Sequence, residues 1–147
     1  ADDPGPVAPS APRPHAWPDR PPRNRPPRKG PAVNDKLEEF RAYRERMNDR
    51  ILEEDNLEIR RFFALDERAY RDGALPSRTK ELLGLVASMV LRCDDCISYH
   101  LVRCREEGWS DEELFEAFSV ALVVGGSIVV PHLRRAVDRL DELADDD

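Results

Sequence analysis

The chain has 147 residues, a length that suits one domain, and a formal net charge of −7 with three cysteines. An acidic body excludes a nucleic-acid binder, because neutralising phosphates needs a basic surface. An odd cysteine count does not make a closed disulfide scaffold and points to a reducing compartment, the cytoplasm.

The beginning of the sequence stands apart. Eleven of the thirteen prolines lie in residues 1–33, together with six Arg or Lys against three Asp. Proline lacks an amide donor and fixes φ, so helix and central strand are excluded there. The expectation is a disordered, partly polyproline-II tail. It serves as a solubilising extension, or its Pro-Pro-Arg repeats dock an aromatic groove or an acidic surface. No apolar segment near the start resembles a secretory signal. The most apolar stretch, Ala117 to Pro131, contains two Ser and two Gly and is too short and broken to span a bilayer.

From residue 34 to residue 147 the texture is that of one helical domain. Leu37, Phe40, Tyr43, Met47 and Ile51 step by three or four, as one face of a helix does, with Asn34 or Asp35 as cap. A second helix starts near Asn56 and turns Ile59, Phe62, Phe63 and Tyr70 inward. Arg71 to Pro76 is a turn, and Ser77 caps a third helix running to about Leu91. That helix is apolar nearly all round, which predicts central burial and makes Glu81 conspicuous. A fourth helix begins around Cys93 and stops at Gly108. Ser110 to Glu113 is a capping box that opens a fifth, with Leu114, Phe115, Phe118, Ala121 and Leu122 inside. Gly125-Gly126 interrupts the chain. A last helix turns Ile128, Leu133, Val137 and Leu140 inward and frays at Asp145 to Asp147. The reading is all-α, a compact bundle of about six helices. The excess of apolar residues from Ala121 to Val130 predicts a homo-oligomer.

The chemistry concentrates in Cys93-Asp94-Asp95-Cys96-Ile97-Ser98-Tyr99-His100. At helical pitch Cys93, Cys96 and His100 fall within roughly 60° of arc, on one face. Two thiols three residues apart form a disulfide reversibly, and an imidazole and a carboxylate move the protons this requires. Cys96 in the first turn gains from the unpaired amides and the macrodipole, while Asp94 and Asp95 oppose a thiolate. The other readings are inert core thiols or a Zn²⁺ site of Glu81, Cys93, Cys96 and His100. The metal site is disfavoured, since a short helical CxxC seldom closes a tetrahedron without a second, distant pair. Cys104 is expected as a core thiol, His132 as a capping or surface residue and Tyr99 as packing. Arg134, Arg135, Asp138 and Arg139 read as a solvated helix face.

Glu81-x11-Cys93-x2-Cys96-x3-His100 resembles the signature of the alkyl hydroperoxidase D branch of the carboxymuconolactone decarboxylase family. Thr79-Lys80-Glu81-Leu82 before the motif, and Gly125-Gly126 with Pro131-His132 after it, agree. The likeness runs from about Lys36 to Leu143. It implies an all-helical trimer or hexamer acting as a thiol peroxidase or disulfide reductant without an organic cofactor. By this resemblance Cys96 attacks a hydroperoxide, Cys93 closes the disulfide, and His100 with Glu81 forms the proton relay. A lipoyl group or a thioredoxin-like protein is the implied dithiol reductant. One position departs: the hydroperoxidase commonly carries a His where this chain has Asp95, and an ionised carboxylate accepts but does not donate. A lactone decarboxylase ranks lower because those members lack the Cys pair. A non-enzymatic cargo or metal-binding protein recruited through the tail is the other alternative.

Overall fold

The computed structural model describes residues 34–144, all of them helices and the turns between them. The expectations placed on residues 1–33, on the capping side chains of Asn34 and Asp35, and on Asp145 to Asp147 lie outside the described residues. The helices are α1 (Asn34–Glu53), α2 (Leu57–Tyr70), α3 (Ser77–Leu91), α4 (Asp94–Glu106), α5 (Asp111–Gly125) and α6 (Val130–Ala144). A single 3₁₀ turn, Ser127–Val129, joins the last two.

Local chemistry sets most boundaries. The Asn56 side chain accepts from the amides of Glu58 and Ile59 at 3.0 and 3.1 Å and so starts α2. Ser77 does not cap α3. It is the first helical residue, behind Pro76, and its amide is taken by Asp72 Oδ1 at 2.7 Å. At the far end Arg92 is left-handed, with φ 61°, and the amide of Cys93 reaches Ser88 O at 3.1 Å. That C-terminal turn reverses the chain directly into α4. Gly108, with φ 77°, follows the end of α4. The Ser110–Glu113 capping box forms in both directions, at 3.3 and 2.9 Å. The amide and the hydroxyl of Ser110 hold the Glu113 carboxyl below its ordinary range.

α3 packs against both α4 and α5, and α6 covers α4. Leu85 and Met89 of α3, Leu101 of α4, Leu114 and Phe118 of α5, and Leu140 of α6 meet in the core, at most 2% exposed. Burying each such side chain is worth about 1.5–3 kcal/mol. Leu37 of α1 joins them. Cys104 lies wholly inside the core, and burial, then the charges of Glu81 and Glu107, push its thiol up to about 12. It is a packing residue, as its position suggested.

The structure corrects several inward assignments. Tyr43 and Ile51 of α1 are exposed, and α2 buries none of its residues, leaving Ile59 and Phe62 facing out. Leu83 and Leu91 of α3 and Phe115 of α5 also face out. Val129, not Ile128, enters the core, because the 3₁₀ turn winds more tightly than the α-helix assumed for it. Among the described residues no helix is long and apolar enough to cross a membrane.

Candidate functional site

Cys93 is the N-cap of α4, and Asp94, Asp95 and Cys96 form its first turn. The two cysteines are joined as a disulfide. Cys93 Sγ also accepts the Cys96 amide at 3.3 Å, so this sulfur sits on the helix's unpaired N–H groups. Cys96 is exposed, whereas Cys93 is half-buried. An attacking group from solvent therefore meets Cys96 first.

One turn further, His100 is buried. Its Nδ1 lies 2.8 Å from Glu81 Oε2, across from α3. Glu81 is only 2% exposed, and its other oxygen faces Arg103 Nε at 3.5 Å. A carboxylate accepts, so Nδ1 is the nitrogen that donates to Glu81, and in a neutral ring Nε2 would be the acceptor. The polar partner of Nε2 is the hydroxyl of Tyr70, at 3.4 Å. Burial first, then the charges of Glu81 and Asp66 and the nearby Tyr99, raise Tyr70 above its ordinary value, so at neutral pH it is a donor. Tyr99 meets His100 edge-on, ring centroids 5.2 Å apart. Gly84 makes the arrangement possible. A Cβ there would stand 2.5 Å from His100 Cε1 and 2.7 Å from the Tyr70 hydroxyl.

A second polar group ties the cysteine-bearing turn to α6. His132 Nδ1 and Arg135 Nε meet the two oxygens of Asp94 at 2.8 and 2.9 Å. Burial alone would raise the Asp94 carboxyl, but its hydrogen bonds and attraction to Arg135 and His132 outweigh that and lower it. His132 and Arg135 are thus engaged rather than merely solvated. Arg139 likewise pairs with the buried Glu142. Asp95 remains exposed beside a cleft of about 230 Å³. A larger cleft, about 410 Å³, opens between α1 and α4 and is lined by Phe40, Arg44, Tyr99, Val102 and Arg103. The Arg44 guanidinium lies 3.9 Å over the Tyr99 ring there. Among the described residues no group of three or more His, Cys, Asp and Glu side chains is arranged to hold a metal ion.

The structure places Cys93 at the N-cap of α4, Cys96 in its first turn and His100 one turn further along, and it brings Glu81 of α3 against His100. Sequence reasoning missed Arg103 and Gly84, and it placed Tyr70 in the core without a polar role. A glycine inside an otherwise apolar helix, three residues after Glu81, was the available signal.

A sequence model described as the carboxymuconolactone decarboxylase family matches residues 59–139. Over 82 residues the chain is 35% identical to "Uncharacterized protein 4 in cox locus" of Paracoccus denitrificans, covering 56% of this chain and 74% of that protein. A crystal structure of a Thermotoga maritima protein superposes with a TM-score of 0.70 at 60% identity, over 73% of this chain and 91% of that one. That protein is described as a carboxymuconolactone decarboxylase family member for which involvement in an antioxidative response has been suggested. A Legionella pneumophila protein of the same family superposes with a TM-score of 0.64 at 26% identity, over 76% of this chain and 96% of that one. With the family's sequence model matching more than half of its length and these structures sharing its helical fold, the chain belongs to the carboxymuconolactone decarboxylase family.

Proposed function

We propose that the chain is a thiol peroxidase or disulfide oxidoreductase of the alkyl hydroperoxidase D type. The observation that carries this reading is a cysteine pair at a helix N-terminus, one turn from an imidazole held by a buried carboxylate. The antioxidative suggestion made for the Thermotoga protein agrees with it.

In this reading the Cys96 thiol gives its proton to His100 Nε2, and Glu81 holds the imidazolium through Nδ1–H. The thiolate attacks the terminal oxygen of R–OOH. The O–O bond breaks, the alkoxide takes the proton from the imidazolium, and Cys96 is left as sulfenic acid. Cys93 attacks that sulfur, forming the disulfide and releasing water. Two electrons have passed from the thiol pair to the peroxide. An external dithiol, such as a lipoyl group or a thioredoxin-like protein in the cytoplasm, then attacks the exposed Cys96 sulfur. Cys93 leaves as a thiolate stabilised by the Cys96 amide and the helix dipole, and a stabler thiolate leaves faster.

Intact-mass counting of free thiols tests the reading, on reduced, metal-free protein before and after one equivalent of peroxide. The wild type is expected to lose two of its three thiols, and Cys96→Ser to form no internal disulfide. Three thiols untouched by peroxide would sink it.

We also propose that the active form is a homo-oligomer, a trimer or a hexamer. Phe62 of α2 is 67% exposed, and Val123 and Val124 of α5 are 86% and 68% exposed. Apolar side chains this open are the kind that a second subunit covers. Light scattering after gel filtration is expected to give three or six times the chain mass, and Val123→Asp with Val124→Asp to shift it toward the monomer. A wild type that runs as a monomer at working concentration overturns this.

A further inference from the structure

We propose that Tyr70 is a positioning residue for the relay, holding the His100 ring with Nδ1 toward Glu81 and Nε2 engaged while the cysteines are paired. This rests on the reading of Glu81 and His100 as the relay. Three independent features of the structure carry it.

The first is the bond itself, Tyr70 hydroxyl to His100 Nε2 at 3.4 Å, with ring centroids 5.3 Å apart. The second is Gly84, whose missing Cβ leaves the space in which these two groups meet. The third is how Tyr70 is held. It is the last residue of α2, a helix with no buried residue of its own. Yet this end of the helix is fixed: Lys80 Nζ donates to Ala69 O and Arg71 O, at 2.9 and 2.6 Å, the carbonyls on either side of Tyr70. Lys80 is also the neighbour of Glu81 in the chain. One turn of α3 thus supplies the carboxylate for Nδ1, the clamp for Tyr70 and the gap between them.

The consequence is electrostatic. The titratable and charged groups around the ring are Glu81 from α3, Tyr70 from α2, and Tyr99 and Arg103 from its own helix. Among them Tyr70 donates to the unprotonated nitrogen. A donor to the neutral form favours that form, whereas the Glu81 carboxylate favours the charged one, so removing the Tyr70 hydroxyl shifts this balance toward the imidazolium.

The test is imidazole ¹H–¹⁵N NMR on the full chain in its disulfide form, comparing wild type with Tyr70→Phe and Lys80→Met. Tyr70→Phe keeps the ring and removes one hydrogen bond. The midpoint of His100 protonation is expected to rise by about half a pH unit to one unit, the equivalent of one ordinary hydrogen bond. Lys80→Met is expected to move it the same way by less. Equal midpoints in wild type and Tyr70→Phe overturn the role. A merely structural Tyr70 would lower the melting temperature without moving the midpoint. This readout needs no peroxide, so a wild type inert to peroxide fails the peroxidase reading alone while the titration still decides on Tyr70.

Discussion

Glu81→Gln is expected to slow peroxide-driven loss of the Cys93 and Cys96 thiols by about 10²–10⁴-fold, the usual worth of a general acid–base group. The substitution preserves volume, and the amide oxygen can still accept from His100 Nδ1, now 2.8 Å from Glu81 Oε2. What disappears is the negative charge that stabilises an imidazolium in a pocket where Glu81 is 2% exposed. The competing reading is that Glu81 is a structural ion pair with Arg103. Arg103 already has Glu106 and Glu107 as other partners, and its side chain is 35% exposed. It therefore keeps carboxylate partners when Glu81 is neutralised. The two readings separate when rate and melting temperature are measured together. A relay carboxylate loses the rate and keeps most of the stability. A purely structural one loses stability, and its thiols react with peroxide within about twofold of the wild-type rate once the protein is folded. Glu81→Ala is the poorer probe, since it also leaves a void beside a buried ring.

Periodicity and capping reveal the helices well because both act over a few residues. The Asn56 cap, the Ser110–Glu113 box and the stop at Gly108 are local chemistry, and each forms where the sequence put it. The common face expected for Cys93, Cys96 and His100 assumed helical pitch throughout, whereas Cys93 is the N-cap, with extended backbone, and only Cys96 and His100 lie within α4. Glu81 is different. Its contact with His100 joins two helices, so no local pattern fixes it, although the zinc alternative and the resemblance both grouped the two residues. The apolar stripe of α2 was legible as a stripe, but periodicity does not say whether a face meets the chain's own core or a neighbour. Ile59, Phe62 and Leu65 face outward. The displacement of Ile128 by Val129 comes from a three-residue 3₁₀ turn, too short to leave a periodic signal. Tyr70 escaped notice because an aromatic on a helix face reads as packing, and its polar partner stands thirty residues away.

Gly84→Ala should oppose the usual rule for helices. In an ordinary helix interior the change stabilises by roughly 0.5–1 kcal/mol, because glycine loses more backbone freedom on folding. Here the new methyl would stand 2.5 Å from His100 Cε1, 2.8 Å from His100 Nε2 and 2.7 Å from the Tyr70 hydroxyl. None of these atoms can retreat freely. The imidazole is bound to Glu81 on its far side, and Lys80 clamps the backbone on both sides of Tyr70. Overpacking of this kind costs about 1–3 kcal/mol, which outweighs the propensity gain. The net expectation is a protein destabilised by about 1 kcal/mol or more, measured by urea unfolding. Displacing the ring also misplaces the base of the proposed relay, and a shift near 1 Å is worth about 10²-fold in rate. Adding Tyr70→Phe removes one of the clashing atoms. The double variant is therefore expected to be more stable than the sum of the two single changes, by at least about 0.5 kcal/mol. A Gly84→Ala protein that is more stable than wild type and reacts with peroxide as fast would show that the ring has room the distances deny, and that Gly84 is only a weak point in the helix.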